Sequence, residues 1–304
     1  MTPQDDEIAP ATGRPETLAP GLRRIVAPNP SPMTFWGTNT YLLGETDLAV
    51  IDPGPDSAPH LEAILEALRP GQRISHVLVT HAHRDHSPLA RPLAERTGAP
   101  VLAFGGPEAG RSAVMARLAA AGMAGGGEGV DAAFAPDTTL ADGAEIAGAG
   151  WRLTALHTPG HFGGHLSFAW GRALFSGDHV MGWASSLVSP PDGDLTDFMA
   201  SCRRLAERDW EVFHPGHGAP VAKPAARLEW LIQHRLSREA QILAALAEAP
   251  LDATALARRL YVETPPALLP AATRNVFAHL VDLASRNRVA PEGPLAVEAA
   301  FRHL

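Results

Sequence analysis

The stretch Thr80-His81-Ala82-His83-Arg84-Asp85-His86-Ser87 follows the apolar run Val77-Leu78-Val79 and packs three histidines and one aspartate into six consecutive positions. A solvated loop has no need of that density of imidazole, whereas a metal site does. Four donors from one loop rarely close a coordination shell, so the fold must bring others to it. The chain has 14 histidines, and three further clusters lie just past strand-like runs. They are His157-Thr158-Pro159-Gly160-His161, Phe175-Ser176-Gly177-Asp178-His179 and Phe213-His214-Pro215-Gly216-His217-Gly218. Strand ends at one rim of a layered α/β domain are where such domains gather their sites. His161, Asp178 and His217 are therefore the natural completion of His81, His83, Asp85 and His86. These groups are too many for one tetrahedral zinc. They suit two zinc ions, with manganese or iron as alternatives, sharing a carboxylate and a water.

Composition sets the remaining bounds. Cys202 is the single cysteine, so no intrachain disulfide forms and a reducing, cytoplasmic setting fits. No apolar run approaches the roughly 18–20 residues that span a bilayer. The acidic, proline-rich segment 1–20 reads as a mobile tail and not as a signal peptide. The net charge is −8, carried as −9 on residues 1–224 and +1 on residues 225–304. An acidic chain of this kind is not an obvious nucleic-acid binder. Alternating apolar runs predict strands at 22–27, 39–44, 47–52, 151–157, 165–170 and 173–177, and another near 211–214. Helices are expected near 110–121 and 195–207, in the amphipathic segment 57–71, and in the segment from Ser87, with Ser87 as N-cap. Strands alternating with helices predict an α/β sandwich with helices outside, over residues 21–223. From 224 the pattern becomes a long helix, a short helix capped by Asp252, a third helix and two short strands. That is the outline of a winged-helix-like module over 224–304.

In order, the clusters His81-x-His83-x-Asp85-His86, Pro159-Gly160-His161, Ser176-Gly177-Asp178 and Pro215-Gly216-His217-Gly218 resemble the motif series of the metallo-β-lactamase-fold hydrolases. Asn39-Thr40-Tyr41 and Ile51-Asp52-Pro53-Gly54 also match the opening strands of that superfamily. The stretch from Ser176 through "FHPGHGAPV" and "HRLSREAQIL" is similar to the beta-lactamase-like protein 2 family. The resemblance implies a metallo-β-lactamase αββα sandwich and two metals. His81, His83 and His161 would hold the first ion, and Asp85, His86 and His217 the second, with Asp178 bridging. Asp85 could also accept the nucleophile's proton. The same resemblance implies single-stranded RNA endonuclease activity in some relatives and acyl-thioester hydrolysis in others.

Two enzyme readings follow. One is an endoribonuclease acting on single-stranded RNA, favoured by the resemblance and opposed by charge. The other is a hydrolase of a small ester or thioester, favoured by charge and by Phe35, Trp36 and Trp183 as cleft walls. A reading of another class is a ligand-sensing regulator that binds DNA through Arg258, Arg259, Arg274, Arg286 and Arg288, but a solvated helix face suits those arginines better. The C-terminal segment is left covering the site or forming a homodimer contact. His157 and His214 read as structural, His179 as lining or packed, Asp52 as a supporting carboxylate or turn residue, and Cys202 as a small core residue.

Overall fold

The computed structural model describes residues 9–304. Its first half holds β1 (Glu16–Ala19), β2 (Leu22–Val26), β3 (Asn39–Leu43), β4 (Asp47–Ile51), α1 (Ala58–Glu66), β5 (Arg73–Leu78), α2 (Ala90–Thr97), β6 (Val101–Ala103), α3 (Ala113–Ala120) and β7 (Thr138–Thr139). Then come β8 (Glu145–Gly148), β9 (Trp151–His157), β10 (Leu166–Trp170), β11 (Ala173–Gly177), α4 (Leu195–Ala206) and β12 (Val212–Pro215). The last part holds α5 (Pro224–Glu248), α6 (Ala253–Leu260), a short 3-10 turn, α7 (Leu269–Ser285), β13 (Val289–Pro291) and β14 (Phe301–His303).

Strands β1 to β7 form one sheet in sequential order, and β12-β11-β10-β9-β8 form the second. The period-two alternation of the strands explains why both stack. In β4, Leu48 and Val50 belong to the core that α1 and α2 cover, with Ile64 and Leu93. Ala49 and Ile51 belong to the core between the sheets, with Leu78, Phe168 and Phe175. A strand buried on both faces reads as a continuous apolar run, as Leu48–Ile51 of β4 does. On the far side, Phe198, Cys202 and Leu205 of α4 and Leu228 and Leu231 of α5 cover Leu156 and Leu174. The layers are therefore helix, sheet, sheet, helix, the predicted sandwich.

The C-terminal unit is three helices with a two-stranded wing. Its core joins Ile242 and Leu246 of α5 to Val276, Phe277 and Leu280 of α7. Each such buried side chain contributes roughly 1.5–3 kcal/mol. Helix α5 is shared: its first half packs on α4 and its second half builds the C-terminal core. The break expected at 223/224 thus falls at the start of a helix that belongs to both units.

Two local expectations are corrected. Part of the predicted 1–20 tail is a strand: β1 pairs antiparallel with β2, and Glu16 meets Arg24 at 2.6 Å. Residues 1–8 of that tail lie outside the described residues. Ser87 does not cap α2, because its hydroxyl donates to Asp131 Oδ2 at 2.9 Å and the helix starts at Ala90. Pro92 then falls in the first turn, where its missing N–H costs nothing.

Candidate metal centre

All seven expected donors reach one rim of the sandwich. His81, His83, Asp85 and His86 follow β5, His161 follows β9, Asp178 follows β11 and His217 follows β12. The sheets are tied together there by backbone bonds. Leu166 N donates to Thr80 O at 2.8 Å and Asn39 N to Gly216 O at 2.7 Å, while within the second sheet Gly216 N donates to Gly177 O at 2.9 Å. Two glycines make the approach sterically feasible. A Cβ on Gly216 would stand 2.2 Å from Asp178 Oδ1 and 2.7 Å from His86 Cε1. Gly160 has φ +145°, and a Cβ there would stand 2.4 Å from the Phe198 Cα.

The donors fall into two groups, His81, His83 and His161, and Asp85, His86, Asp178 and His217. Within each group the donor atoms lie within 4.8 Å of one another. Asp178 also reaches the first group, with Oδ2 3.3 Å from His217 Nε2 and 3.7 Å from His161 Nε2.

Hydrogen bonds orient the rings. The Thr80 hydroxyl donates to Asp52 Oδ2 at 2.8 Å, so it accepts from His81 Nδ1 at 2.9 Å. His161 Nδ1 donates to Leu187 O at 2.7 Å, and His217 Nδ1 to Gly37 O at 3.2 Å. His86 Nδ1 donates to Asp52 Oδ2 at 2.9 Å. Each turns Nε2 inward. His83 Nδ1 lies 2.9 Å from His81 Nε2 and 3.0 Å from His161 Nε2. Converging lone pairs repel unless a proton or a cation lies among them. Asp85 Oδ1 and Asp178 Oδ1 are buried without a hydrogen-bond partner among the described residues. Inward-turned imidazole nitrogens beside carboxylates that each keep one oxygen unpaired are a donor set that fits divalent metal.

Electrostatics separates the groups. Burial, aided by neighbouring imidazoles, pushes His81 well below the ordinary histidine value and His83 down to about 3, and burial also lowers His161. In the second group burial acts the same way, but the carboxylates outweigh it. Asp178 and Asp85 raise His217 to about 10, and Asp85, Asp178 and Asp52 raise His86 well above its ordinary value. Burial would raise Asp85 and Asp178, yet those imidazoliums hold both below the usual carboxylate range.

A cavity of about 220 Å³ opens on His83, Asp85, His161, Asp178 and His217. Its walls include Met33, Met181, Trp183 and Leu187 and, from the C-terminal unit, Tyr261 and Leu268. Apart from the donors, the ionisable side chains on its lining are Glu128 and Tyr261, with no Lys or Arg among the described residues. Trp183 is thus a wall, with Phe35 stacked on it at 4.9 Å and Trp36 stacked on Phe35 at 4.6 Å.

The other singled-out residues sort out as follows. His157 stacks on Phe104 and faces Gly163 O at 2.9 Å. His214 packs against Tyr41 and Phe175. His179 is packed under Phe198, with Nε2 3.5 Å from Cys202 Sγ. Asp52 serves the site by holding Thr80 and His86. Arg259 pairs with Glu248, and Arg286 with Glu239 and Asp282. Sequence reasoning missed His165, whose ring lies 5.2 Å from that of His81. It also missed Thr80, Leu187 and the C-terminal wall, for which no local motif gives a signal.

An αββα sandwich with such a donor cluster at its rim defines a metal-dependent hydrolase. The chain belongs to the metallo-beta-lactamase superfamily, whose profile matches residues 33–217, and a beta-lactamase associated winged helix domain matches residues 253–294. It is 32% identical over 296 residues to a Drosophila melanogaster beta-lactamase-like protein 2 homolog, covering 93% of each chain. It is 30% identical over 243 residues to an atrochrysone carboxyl ACP thioesterase of Passalora fulva, covering 76% of this chain and 63% of that one. The crystal structure of a metallo-beta-lactamase family protein from Thermus thermophilus superposes with a TM-score of 0.76 at 28% identity, covering 95% of this chain and 100% of that one. No described helix is long and apolar enough to cross a membrane.

Proposed function

We propose that the protein is a dinuclear metallohydrolase of an apolar ester or acyl thioester. His81, His83 and His161 would hold one ion, Asp85, His86 and His217 the other, and Asp178 would lie between them. Zinc is the first candidate because imidazole and carboxylate suit it, with manganese or iron as alternatives. When bound, the ions supply Lewis-acid charge that activates water and stabilises an oxyanion. The protein's own groups do the rest. Asp52, Thr80, Leu187 O and Gly37 O fix the imidazole rings. Asp85 Oδ1, on the cavity lining and without a partner among the described residues, would accept the proton of the attacking water. Met33, Met181, Trp183, Tyr261 and Leu268 would hold the acyl group and exclude bulk water.

The observation that carries this reading over single-stranded RNA is the cavity lining, which offers no Lys or Arg to a phosphate backbone. The thioesterase among its relatives supports the same substrate class. The C-terminal unit then covers the site, and the pairing of Arg259 and Arg286 with carboxylates disfavours a DNA-binding regulator. The test assays zinc-loaded protein in parallel on acyl thioesters of increasing chain length and on labelled single-stranded RNA, with Asp85→Ala as control. Thioester cleavage that is lost in the control, with RNA intact, is the expected result. RNA cleavage lost in the control, with thioesters intact, would overturn the reading.

A further inference from the structure

The C-terminal unit does more than roof the cavity. The segment 181–190 after Asp178 contributes Met181, Trp183, Ala184, Ser185 and Leu187 to the lining, and its Leu187 carbonyl accepts the His161 Nδ1 proton at 2.7 Å. Five backbone groups of that segment are held by side chains from beyond residue 223. Arg227 donates to Met181 O and Ala184 O, both at 2.6 Å. Arg235 donates to Ser186 O and, at 3.0 Å, to Asn275 Oδ1. Asn275 Oδ1 also accepts from Val188 N at 3.0 Å, and Arg274 donates to Pro190 O at 3.0 Å. Arg235 is 2% exposed. A guanidinium buried that deeply is costly unless its donors are used; here Nη2 is used on Ser186 O and Nη1 on Asn275, while Nε finds no partner among the described residues.

We infer that Arg235 and Asn275 are positioning residues: through Ser186 O and Val188 N they clamp Leu187, and the Leu187 carbonyl sets the tautomer and orientation of His161. This rests on the assignment of His161 as a ligand under the function proposed above. The winged-helix unit is in this account part of the metal site's scaffold, and its buried arginines serve inward contacts instead of a nucleic-acid surface. A partner of a ligating imidazole typically governs about 10- to 100-fold of metal affinity. Loosening the clamp should act on the ion that His161 holds and spare the other.

The experiment uses full-length protein stripped of metal and reloaded with zinc or cobalt. Zinc affinities come from chelator competition and the cobalt environment from visible absorption. Arg235→Met and Asn275→Leu are compared with Asn275→Asp, which keeps the oxygen that accepts from both Arg235 and Val188. The expected result is that one of two zinc dissociation constants rises about 10- to 100-fold in Arg235→Met and Asn275→Leu. The cobalt bands should shift in both, and Asn275→Asp should behave as wild type. If Arg235→Met does not fold, the pair at position 275 carries the test. Unchanged affinities and cobalt bands with only a lower melting temperature would overturn the clamp and make these residues merely structural. Wild-type protein that binds no zinc would instead overturn the ligand assignment beneath it. Wild-type protein that binds two ions but cleaves no thioester would overturn the proposed substrate alone, with the metal affinities still deciding the clamp.

Discussion

Replacing Asp52 with asparagine separates the energetic role of this carboxylate from its electronic one. Asp52 Oδ1 accepts from Thr80 N at 2.7 Å, and Oδ2 accepts from Thr80 Oγ1 at 2.8 Å and from His86 Nδ1 at 2.9 Å. Asparagine keeps the first acceptor in its amide oxygen. It also suits the backbone, which has φ +51°, a region that asparagine tolerates better than most residues. The amide NH2 then faces His86 Nδ1. That nitrogen must become an acceptor, so the neutral ring keeps its one proton on Nε2, the atom turned toward Asp85 and Asp178. A buried hydrogen bond to a charged group contributes about 1.5–3 kcal/mol. Losing one or two lowers metal-free stability by about 1.5–6 kcal/mol, measurable by denaturant titration. The tautomer change is predicted to weaken the ion held by His86 by about 10- to 100-fold, measured by chelator competition. Zinc affinities within about twofold of wild type would refute the tautomer reasoning, because the effect required is at least tenfold.

Further consequences follow from the same geometry. Gly216→Ala drives a methyl against Asp178 and His86, so hydrolysis should fall by about a hundredfold, as a displacement near 1 Å can produce. Steady-state kinetics on metal-loaded variant checks it. His86 and His217 carry raised pKa values without metal, so ion binding near pH 7 should release protons and tighten as pH rises toward 10. Calorimetry in buffers of different ionisation enthalpy counts them. Burial lowers His60 to about 4, below the unfolded value of 6.5, so the unfolded state takes the proton first as pH falls. Its stabilising contribution is present above pH 6.5 and is lost between 6.5 and 4, by about 3 kcal/mol. His60→Gln should therefore show a flatter stability profile than wild type across that window.

The sandwich and the donors were legible because their signals are local. A strand buried on both faces is a run of apolar residues, and a ligand loop at its end is a motif of adjacent residues. His161, Asp178 and His217 each announce themselves by a turn glycine and a preceding strand. What the sequence did not reveal is made by long-range contacts. Arg235 lies in a helical stretch with the composition of a solvated face, and nothing local distinguishes it from Arg238 or Arg259. Asn275 and Leu187 matter through which partners they meet across 87 or 26 positions. The strands β7 and β8 are too short for an alternation to show. Ser87 looked like a helix cap because the Ser-Pro pattern fits one, but Asp131, distant in sequence, competes for the hydroxyl.

The most direct test of the account is the rate of acyl-thioester hydrolysis as zinc is titrated into metal-free protein. A dinuclear site should give negligible turnover without metal and a plateau at two equivalents of zinc per chain. A plateau at one equivalent, or no hydrolysis at any loading, would contradict it.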